Sequence, residues 1–160
     1  GAETGSVEGG SETGTAETGS GSGSGQYAET GDCEVIAGLG TDIVEIGRIV
    51  RMLDKFGDAF RERICTPAEL AEGSRRRHAS TYYAGRWAVK EAAAKALGCG
   101  IGEHCSFTDV ELGNGPAGAP FLKLSGKAAE YAARRGGGLF HVSLSHEATY
   151  ATAVVIWEIN

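Results

Sequence analysis

The chain has 160 residues, a formal net charge of −6 and a hydrophobic fraction of 41%, which suits a single globular domain of ordinary size. It contains no apolar run long enough to cross a bilayer and no basic-then-apolar signal segment, so we do not expect a membrane protein. The four cysteines show no Cys-x-x-Cys spacing, which favours reduced thiols in a cytoplasmic protein over a disulfide framework.

Residues 1–34 differ in composition from the rest of the chain. They are mostly Gly, Ser, Thr, Glu and Ala, and they hold seven of the 21 acidic residues but no Lys or Arg. Such a segment has too little apolar surface to offset its chain entropy, so we expect a disordered acidic tail or linker. Residues 35–160 then carry 15 basic and 14 acidic side chains, so the overall acidity indicates no partner for this domain.

The first predicted elements are a strand and a helix. Residues 35–44 are mostly apolar and predict a strand, which places Asp42 near its end. From Ile46 the period becomes helical, because apolar residues recur about one turn apart at Ile49, Leu53, Phe56 and Phe60. Thr66-Pro67-Ala68-Glu69 then predicts a second helix start, with threonine as N-cap and glutamate completing a capping box.

A long alanine-rich helix is predicted from about residue 80 to residue 97, where Gly98 ends it. The pattern beyond it predicts strands over 107–112 and 120–124, a helix over 125–135, and strands over 139–145 and 150–158. Strands joined by short turns, interspersed with helices, predict an α+β fold. In this fold a mostly antiparallel sheet packs against the long helix.

One ridge of the long helix carries candidate catalytic side chains. Trp87, Glu91 and Lys95 are spaced four residues apart, so an aromatic ring, a carboxylate and an ammonium share one face. On its own, a pair such as Glu91 and Lys95 is more often an ordinary solvated pair. With Asp42 from the first strand, however, Glu91 could hold a hard cation such as Mg²⁺, which typically takes one or two carboxylates plus phosphate oxygens.

The order of short motifs along the chain resembles the holo-acyl-carrier-protein synthase family, the small type of 4′-phosphopantetheinyl transferase. The matching segments are Gly40-Thr41-Asp42-Ile43-Val44-Glu45-Ile46-Gly47-Arg48-Ile49, residues 63–70, Arg86-Trp87-Ala88-Val89-Lys90-Glu91-Ala92 with residues 95–98, and residues 100–102, 107–112, 118–120 and 141–147. Each motif is weak by itself, but their order within one small domain is specific.

The resemblance implies a phosphopantetheinyl transferase-like fold and a Mg²⁺-dependent reaction. The enzyme would transfer 4′-phosphopantetheine from coenzyme A to a serine of an apo-acyl carrier protein, releasing 3′,5′-ADP, in fatty acid or polyketide biosynthesis. Asp42 and Glu91 match the family's metal-binding carboxylates, and Lys95 matches the lysine that contacts the phosphates. The resemblance also implies a homotrimer whose active sites are shared between neighbouring subunits.

Further basic residues match or adjoin the family's contacts with coenzyme A. Arg86 and His146 match positions that contact the nucleotide part, including its 3′-phosphate. Arg77 and His78 fall near other basic nucleotide contacts, although this arginine-rich run also has the pattern of a solvated loop. Lys90 points about 100° away from the neighbouring metal-binding carboxylate, so it is a second candidate for phosphate contact.

The first helix carries a candidate docking surface for the carrier protein. Arg48, Arg51 and Lys55 recur at spacings of three and four residues and so share one face. Acyl carrier proteins have an acidic helix beside the modified serine, and complementary charge raises association rate and specificity. Arg48 matches a family position for this contact, although an ordinary solvated face has the same pattern. Nucleic acid is not expected, because the domain is nearly neutral and lacks aromatic-basic interleaving.

Two other functions stay open at this stage. The acidic tail is not part of the usual small enzyme, so the domain could instead be excised from a multidomain synthase that modifies a carrier in cis. A silent carrier-binding module would keep the fold but has no need for the three predicted catalytic residues, all of which are present.

Two local features depart from simple expectations. Trp87 stands where the family usually has phenylalanine, which is a conservative change. Cys99, His104 and Cys105 lie close in sequence, but no fourth ligand stands at a usual spacing, so a zinc site is not expected.

Overall fold

The computed structural model describes residues 35–159, so the predicted acidic tail over residues 1–34 lies outside the described part of the chain. The elements follow in the order β1 (Val35–Glu45), α1 (Ile46–Phe56), α2 (Asp58–Ile64), α3 (Pro67–Gly73), α4 (Ala79–Ala96), a 3₁₀ turn (Phe107–Asp109), β2 (Val110–Asn114), β3 (Pro120–Leu124), α5 (Gly126–Arg134), β4 (Leu139–His146) and β5 (Tyr150–Ile159). The predicted α+β class, with an antiparallel sheet against a long helix, is confirmed.

The largest differences from the sequence prediction occur at two boundaries. The apolar repeat that starts at Ile46 is divided into α1 and α2 by Gly57, whose φ of 53° favours glycine because it lacks a Cβ. The strand predicted from residue 107 begins only at Val110, because the three residues before it form the 3₁₀ turn. The side chain of Asp109 accepts from the backbone amide of Ser106, at 2.9 Å, and so caps this turn.

The larger sheet has the strand order β1-β5-β4, with both pairs antiparallel, and β2 pairs with β3 in a separate hairpin. Successive side chains point to opposite faces of a strand. The face that packs against α4 is buried and includes Val44, Val155 and Trp157. The register sets Asp42 opposite Ala153 on this same face, so the predicted metal-binding carboxylate points towards the long helix.

Two glycines allow β1 to approach α4 very closely. A Cβ at Gly38 would overlap the backbone carbonyl oxygen of Ala96, and a Cβ at Gly40 would overlap that of Ala92. The helix contributes alanines at this contact, so neither partner has a side chain that would hold the two backbones apart. The end of β1 that carries Asp42 is thereby brought against the middle of α4.

The capping box predicted at the start of α3 is confirmed, and its glutamate does more than cap the helix. One oxygen of Glu69 accepts from the backbone amide of Thr66, at 2.9 Å, and from the ammonium of Lys90, at 2.5 Å. The other oxygen accepts from the backbone amide of Leu112, at 3.0 Å. Lys90 also donates to the carbonyl oxygen of Phe107, at 3.0 Å. This buried ion pair therefore connects α3, α4 and β2.

The opposite face of the three-stranded sheet is exposed although it carries large apolar side chains. Leu39 and Ile43 of β1, Val154 of β5 and Leu139 of β4 all lie on this outer face and are exposed. Several exposed apolar side chains on one face of a sheet commonly mark an interaction surface. Among residues 35–159, no helix combines the length and the apolar character that crossing a membrane requires.

Candidate active site

The predicted catalytic residues of β1 and α4 meet in the structure. Lys95 donates from its ammonium to the Oδ1 atom of Asp42, at 2.8 Å, and to the carbonyl oxygen of Thr41, at 3.0 Å. The side chain of Asp42 is 14% exposed, and its Oδ2 atom is buried without a hydrogen-bond partner. Buried carboxylate oxygens are nearly always satisfied, so this unpartnered oxygen is a feature that requires an explanation.

Glu91 lies close enough to this pair to interact with it electrostatically. Burial and the negative charge of Asp42 raise the pKa of Glu91 above its ordinary value, whereas the positive charges of Lys95 and Arg48 oppose the increase. The two carboxylates therefore repel each other in a partly buried site. A cation bound between them would relieve that repulsion and would give the unpartnered Oδ2 atom a ligand.

The donor set of this site suits Mg²⁺ with phosphate oxygens. Among the described residues, no group of three or more His, Cys, Asp or Glu side chains is placed to share one ion. Asp42 and Glu91 would therefore supply two carboxylates, and the remaining ligands would have to be phosphate or water. Mg²⁺ is usually bound in this way, through one or two carboxylates plus substrate phosphates.

A second cluster forms a basic cleft of about 540 Å³. Its lining residues are Arg76, Arg77, His78, Thr81, Tyr82, Gly85, Arg86, Asn114, Leu144 and His146. Four of these are the predicted coenzyme A contacts, namely Arg77, His78, Arg86 and His146. The lining contains no acidic residue, so the cleft is electrostatically suited to a polyanion such as a phosphorylated nucleotide.

Arg86 is the most constrained cation of this cleft. It is only 8% exposed, its guanidinium stacks 3.8 Å above the ring of Tyr82, and its Nε atom is buried without a hydrogen-bond partner. Within residues 35–159 it forms no ion pair with a carboxylate. A buried guanidinium without a counter-ion is expensive unless a ligand provides one, which favours an anion at this position.

Tyr82 and Arg76 are two of the cleft residues that the sequence analysis missed. Tyr82 supplies the ring beneath Arg86, and its hydroxyl donates to the carbonyl oxygen of Glu69, at 2.9 Å. Tyr82 and Arg86 are four residues apart on one helix, so this contact could have been predicted from the sequence. Arg76 also lines the cleft, but it pairs with Glu72 of α3. No sequence pattern separated it from the neighbouring arginines.

The structure corrects the predicted role of Lys90. The prediction made it a candidate phosphate contact, but its side chain is 0% exposed and its ammonium is held by Glu69 and by the carbonyl oxygen of Phe107. The rotation of 100° per residue that separates Lys90 from Glu91 turns the lysine into the core. We therefore no longer assign Lys90 to coenzyme A.

The predicted docking residues form an exposed stripe on α1. Arg48 lies 5.3 Å from the centroid of the Trp87 ring, and it also acts electrostatically on Glu91. Arg51 forms an ion pair with Glu45, at 3.5 Å. The third member, Lys55, lies 5.0 Å from the ring centroid of the exposed Phe56. One end of the stripe is thus next to the carboxylate pair.

The cysteines among residues 35–159 contribute no reactive group to either cluster. The three described cysteines are free, and burial raises the pKa of both Cys65 and Cys105 to about 12. The thiolate is the nucleophilic form, so these buried thiols are unreactive at neutral pH. His104, which precedes Cys105, stacks on the ring of Tyr131.

Comparison with known proteins assigns the family. The model of the 4′-phosphopantetheinyl transferase superfamily matches residues 38–155, which is most of the chain. The chain belongs to this superfamily. The holo-[acyl-carrier-protein] synthase of Edwardsiella ictaluri (strain 93-146) is 48% identical over 123 residues, covering 77% of this chain and 98% of the relative. The resemblance found in the sequence is therefore confirmed, and the chain is an enzyme of the holo-acyl-carrier-protein synthase family.

Solved structures of the family share this fold. The holo-[acyl-carrier-protein] synthase of Neisseria meningitidis has a TM-score of 0.74 and 37% identity, covering 77% of this chain and 98% of that structure. The Helicobacter pylori enzyme, solved in complex with coenzyme A, has a TM-score of 0.65 and 36% identity, covering 73% of this chain and 96% of that structure. The family match over residues 38–155 includes Asp42 of β1 and Glu91 of α4, the two members of the carboxylate pair.

Proposed function

We propose that this protein transfers 4′-phosphopantetheine from coenzyme A to a serine of an apo-acyl carrier protein, with Mg²⁺, and releases 3′,5′-ADP. The observation that carries the proposal is the pair of repelling carboxylates, Asp42 and Glu91, beside the ammonium of Lys95. Family membership and the basic cleft on the same face of the sheet support it. A silent binding module would have no use for an unpartnered carboxylate oxygen.

The basic cleft binds the nucleotide part of coenzyme A. Arg86 offers a guanidinium held rigid by the Tyr82 ring, so its hydrogen-bond donors are already oriented for a phosphate. Arg77, His78 and His146 add exposed donors around the same space. This arrangement fixes one end of the substrate, so the pyrophosphate linkage reaches the reacting groups with little remaining freedom.

The transfer replaces one phosphorus–oxygen bond with another. The carrier serine oxygen bonds to the β-phosphorus, the bond from that phosphorus to 3′,5′-ADP breaks, and the proton of the serine hydroxyl passes to solvent. Asp42 and Glu91 would hold Mg²⁺, which when bound neutralises charge on phosphate oxygens and lowers the pKa of a bound water. Lys95 supplies a positive charge for the oxygen of the leaving 3′,5′-ADP.

The carrier protein docks on the stripe of Arg48, Arg51 and Lys55. These cations are exposed, and Arg48 at one end of the stripe lies next to the carboxylate pair, so an acidic helix bound there brings its serine towards the reacting phosphorus. Reversal of Arg48 and Arg51 to Glu should raise KM for the carrier about tenfold but hardly change KM for coenzyme A. The loss should shrink in high salt, because exposed charges are screened. Equal effects on both substrates would argue against docking on this stripe.

Assembly and location are further parts of the proposal. The exposed apolar face of β1, β4 and β5 supports a homotrimer, because association would remove that face from water. The free cysteines support a cytoplasmic location. The family resemblance also supports active sites that are shared between neighbouring subunits. Light scattering should give three times the chain mass.

Subunit mixing tests the sharing of sites. At coenzyme A concentrations well below the KM of the Arg86→Ala variant, Arg86→Ala subunits and Glu91→Gln subunits should each transfer almost nothing, but mixed trimers should recover part of the transfer. Recovery requires that one site takes its cleft and its carboxylates from different chains. If mixed assemblies stay as inactive as their parents, each chain builds its site alone.

Mass spectrometry tests the activity directly. An apo-acyl carrier protein incubated with coenzyme A, Mg²⁺ and this protein should gain the mass of one phosphopantetheine on one serine. Replacement of that serine by alanine in the carrier is the matched control and should abolish the gain. An unchanged carrier mass in the complete mixture would leave the silent binding module as the better hypothesis. Product formation would place the enzyme in fatty acid or polyketide biosynthesis, according to the carrier used.

A further inference from the structure

Lys95 is bound to the very carboxylate that the proposed function assigns to a metal ion. Its ammonium contacts the Oδ1 atom of Asp42, at 2.8 Å, and the carbonyl oxygen of Thr41, at 3.0 Å. Within residues 35–159 it has no other hydrogen-bond or ion-pair partner. The side chain is nevertheless 48% exposed, so the ammonium is held by these oxygens and not by enclosure in the core.

The charges around the two carboxylates explain why the ammonium stays there. Asp42 and Glu91 repel each other, and Lys95 and Arg48 are the cations that act against this repulsion. The ammonium satisfies one oxygen of Asp42 and leaves Oδ2 unpartnered. The ammonium of Lys95 therefore neutralises only part of the negative charge of the two carboxylates, and a further cation can still bind there.

We propose that the ammonium of Lys95 and a divalent cation are rival counter-ions for Asp42, so that Lys95 weakens metal binding until a pyrophosphate draws its ammonium away. The inference rests on the proposed function and adds to it an order of events at the same site. Lys95 thus has two successive partners, the carboxylate of Asp42 before coenzyme A binds and a phosphate oxygen afterwards.

Coupling between the metal and coenzyme A follows from this rivalry. In the absence of coenzyme A, a divalent cation meets an ammonium about one ion-pair distance from its ligand and is repelled. The pyrophosphate offers the ammonium another partner and removes that repulsion. Because linkage is reciprocal, each ligand then raises the affinity of the other by the same factor. Removal of the lysine should reduce that factor.

Calorimetric titration of Mg²⁺ into the metal-free protein tests the inference. Lys95→Met should bind Mg²⁺ about fivefold more tightly than the unmodified protein at low ionic strength, because a competing unit charge is gone. Lys95→Arg keeps that charge and should stay within about twofold of the unmodified protein. Lys127→Met removes an exposed lysine of α5 and controls for the change in net charge. Its affinity should not change.

The second measurement repeats these titrations with saturating coenzyme A but no carrier protein. Coenzyme A should increase Mg²⁺ affinity more in the unmodified protein than in Lys95→Met. Equal or weaker Mg²⁺ binding by Lys95→Met without coenzyme A would overturn the rivalry. The proposed function would still stand if the protein without substitutions transferred phosphopantetheine to its carrier only in the presence of Mg²⁺. An absence of carrier modification under every condition would instead remove the proposed function.

Discussion

Helix α4 carries two lysines that both pair with a carboxylate, and the two pairs differ in burial and in how completely the carboxylate is hydrogen-bonded. Lys90 and Glu69 are 0% and 2% exposed, and each oxygen of the carboxylate accepts from at least one donor. Lys95 is half-exposed, and its partner Asp42 keeps one oxygen without a donor. The first pair is complete within the protein, whereas the second still has capacity for a ligand.

The difference indicates which pair is structural and which is functional. A buried ion pair repays its desolvation only when additional hydrogen bonds support it, and the Lys90–Glu69 pair has three such bonds to the backbone. An incompletely satisfied carboxylate stores unfavourable energy that a ligand can release. Polar satisfaction, and not charge or proximity, therefore separates the two lysines of one helix.

The largest expected effect is the loss of transfer activity when Asp42 or its neighbouring carboxylate Glu91 is substituted. Asp42→Asn and Glu91→Gln should each reduce carrier modification by about 10²- to 10³-fold or more, because each removes a charge needed at the reacting phosphates. Their melting temperatures should not fall. Glu130→Gln, an exposed carboxylate of α5, is the matched control and should keep full activity in the mass-spectrometric assay. Full activity of Glu91→Gln with Mg²⁺ as the only divalent ion would contradict the assignment.

Substitution in the buried Lys90–Glu69 pair should instead lower the stability of the protein. Lys90→Met leaves the carboxylate of Glu69 buried and unpaired, so the free energy of unfolding should fall by about 3–5 kcal/mol in urea titrations. Lys95→Met should change it by about 1 kcal/mol or less, since the ammonium is half-exposed. Replacing both Lys90 and Glu69 with apolar residues should recover part of the loss. A Lys90→Met protein as stable as the parent would show that the comparison is wrong.

The buried guanidinium of the basic cleft resembles Asp42, because one of its polar atoms also lacks a hydrogen-bond partner. Arg86→Ala should raise KM for coenzyme A by about 10- to 100-fold, the equivalent of one lost charged hydrogen bond or a little more. KM for the carrier should hardly change, because the docking stripe lies on α1. Initial rates measured with each substrate varied in turn separate the two constants. A rise in both constants together would indicate a folding defect.

The smallest expected effect concerns Glu91 in the metal-free protein. Burial and the charge of Asp42 raise the pKa of Glu91 above 4.5, so the folded state holds this proton at a pH where the unfolded chain has lost it. Stability therefore falls as pH rises from 4.5 through the raised pKa, and the loss persists at neutral pH. Glu91→Gln should melt about one to a few degrees higher at pH 7 in chelator. Below pH 4.5 the gain should vanish, and a gain independent of pH would point to another cause.

Most of the fold could be predicted because its signals are local. The capping box at Thr66, the alanine-rich helix and the apolar strands are each predicted from residues that lie close together in the sequence. The division of α1 from α2 was missed because Gly57 interrupts an apolar repeat that otherwise continues. Periodicity describes which residues share a face, but it does not register a one-residue interruption within the repeat.

The site was predicted less completely, for a different physical reason. Periodicity grouped Trp87, Glu91 and Lys95 on one ridge and separated Lys90 from them, but it did not say which side of α4 faces the core. That choice depends on Glu69, which is distant in sequence and becomes a neighbour only when α3 packs against α4. Tertiary partners therefore decide whether a charged residue is available to a ligand.

Because β1 approaches α4 so closely, the active site depends on residues that have no side chain and take no part in the reaction. At Gly38 and Gly40 any side chain, even a methyl group, would occupy the space of a helix carbonyl oxygen and push the strand away. The separation of Asp42 from Glu91 is thus set by two missing side chains. An inactive relative could keep every charged residue of the site and differ only at these glycines. An engineer who wishes to tune the carboxylate spacing should begin there.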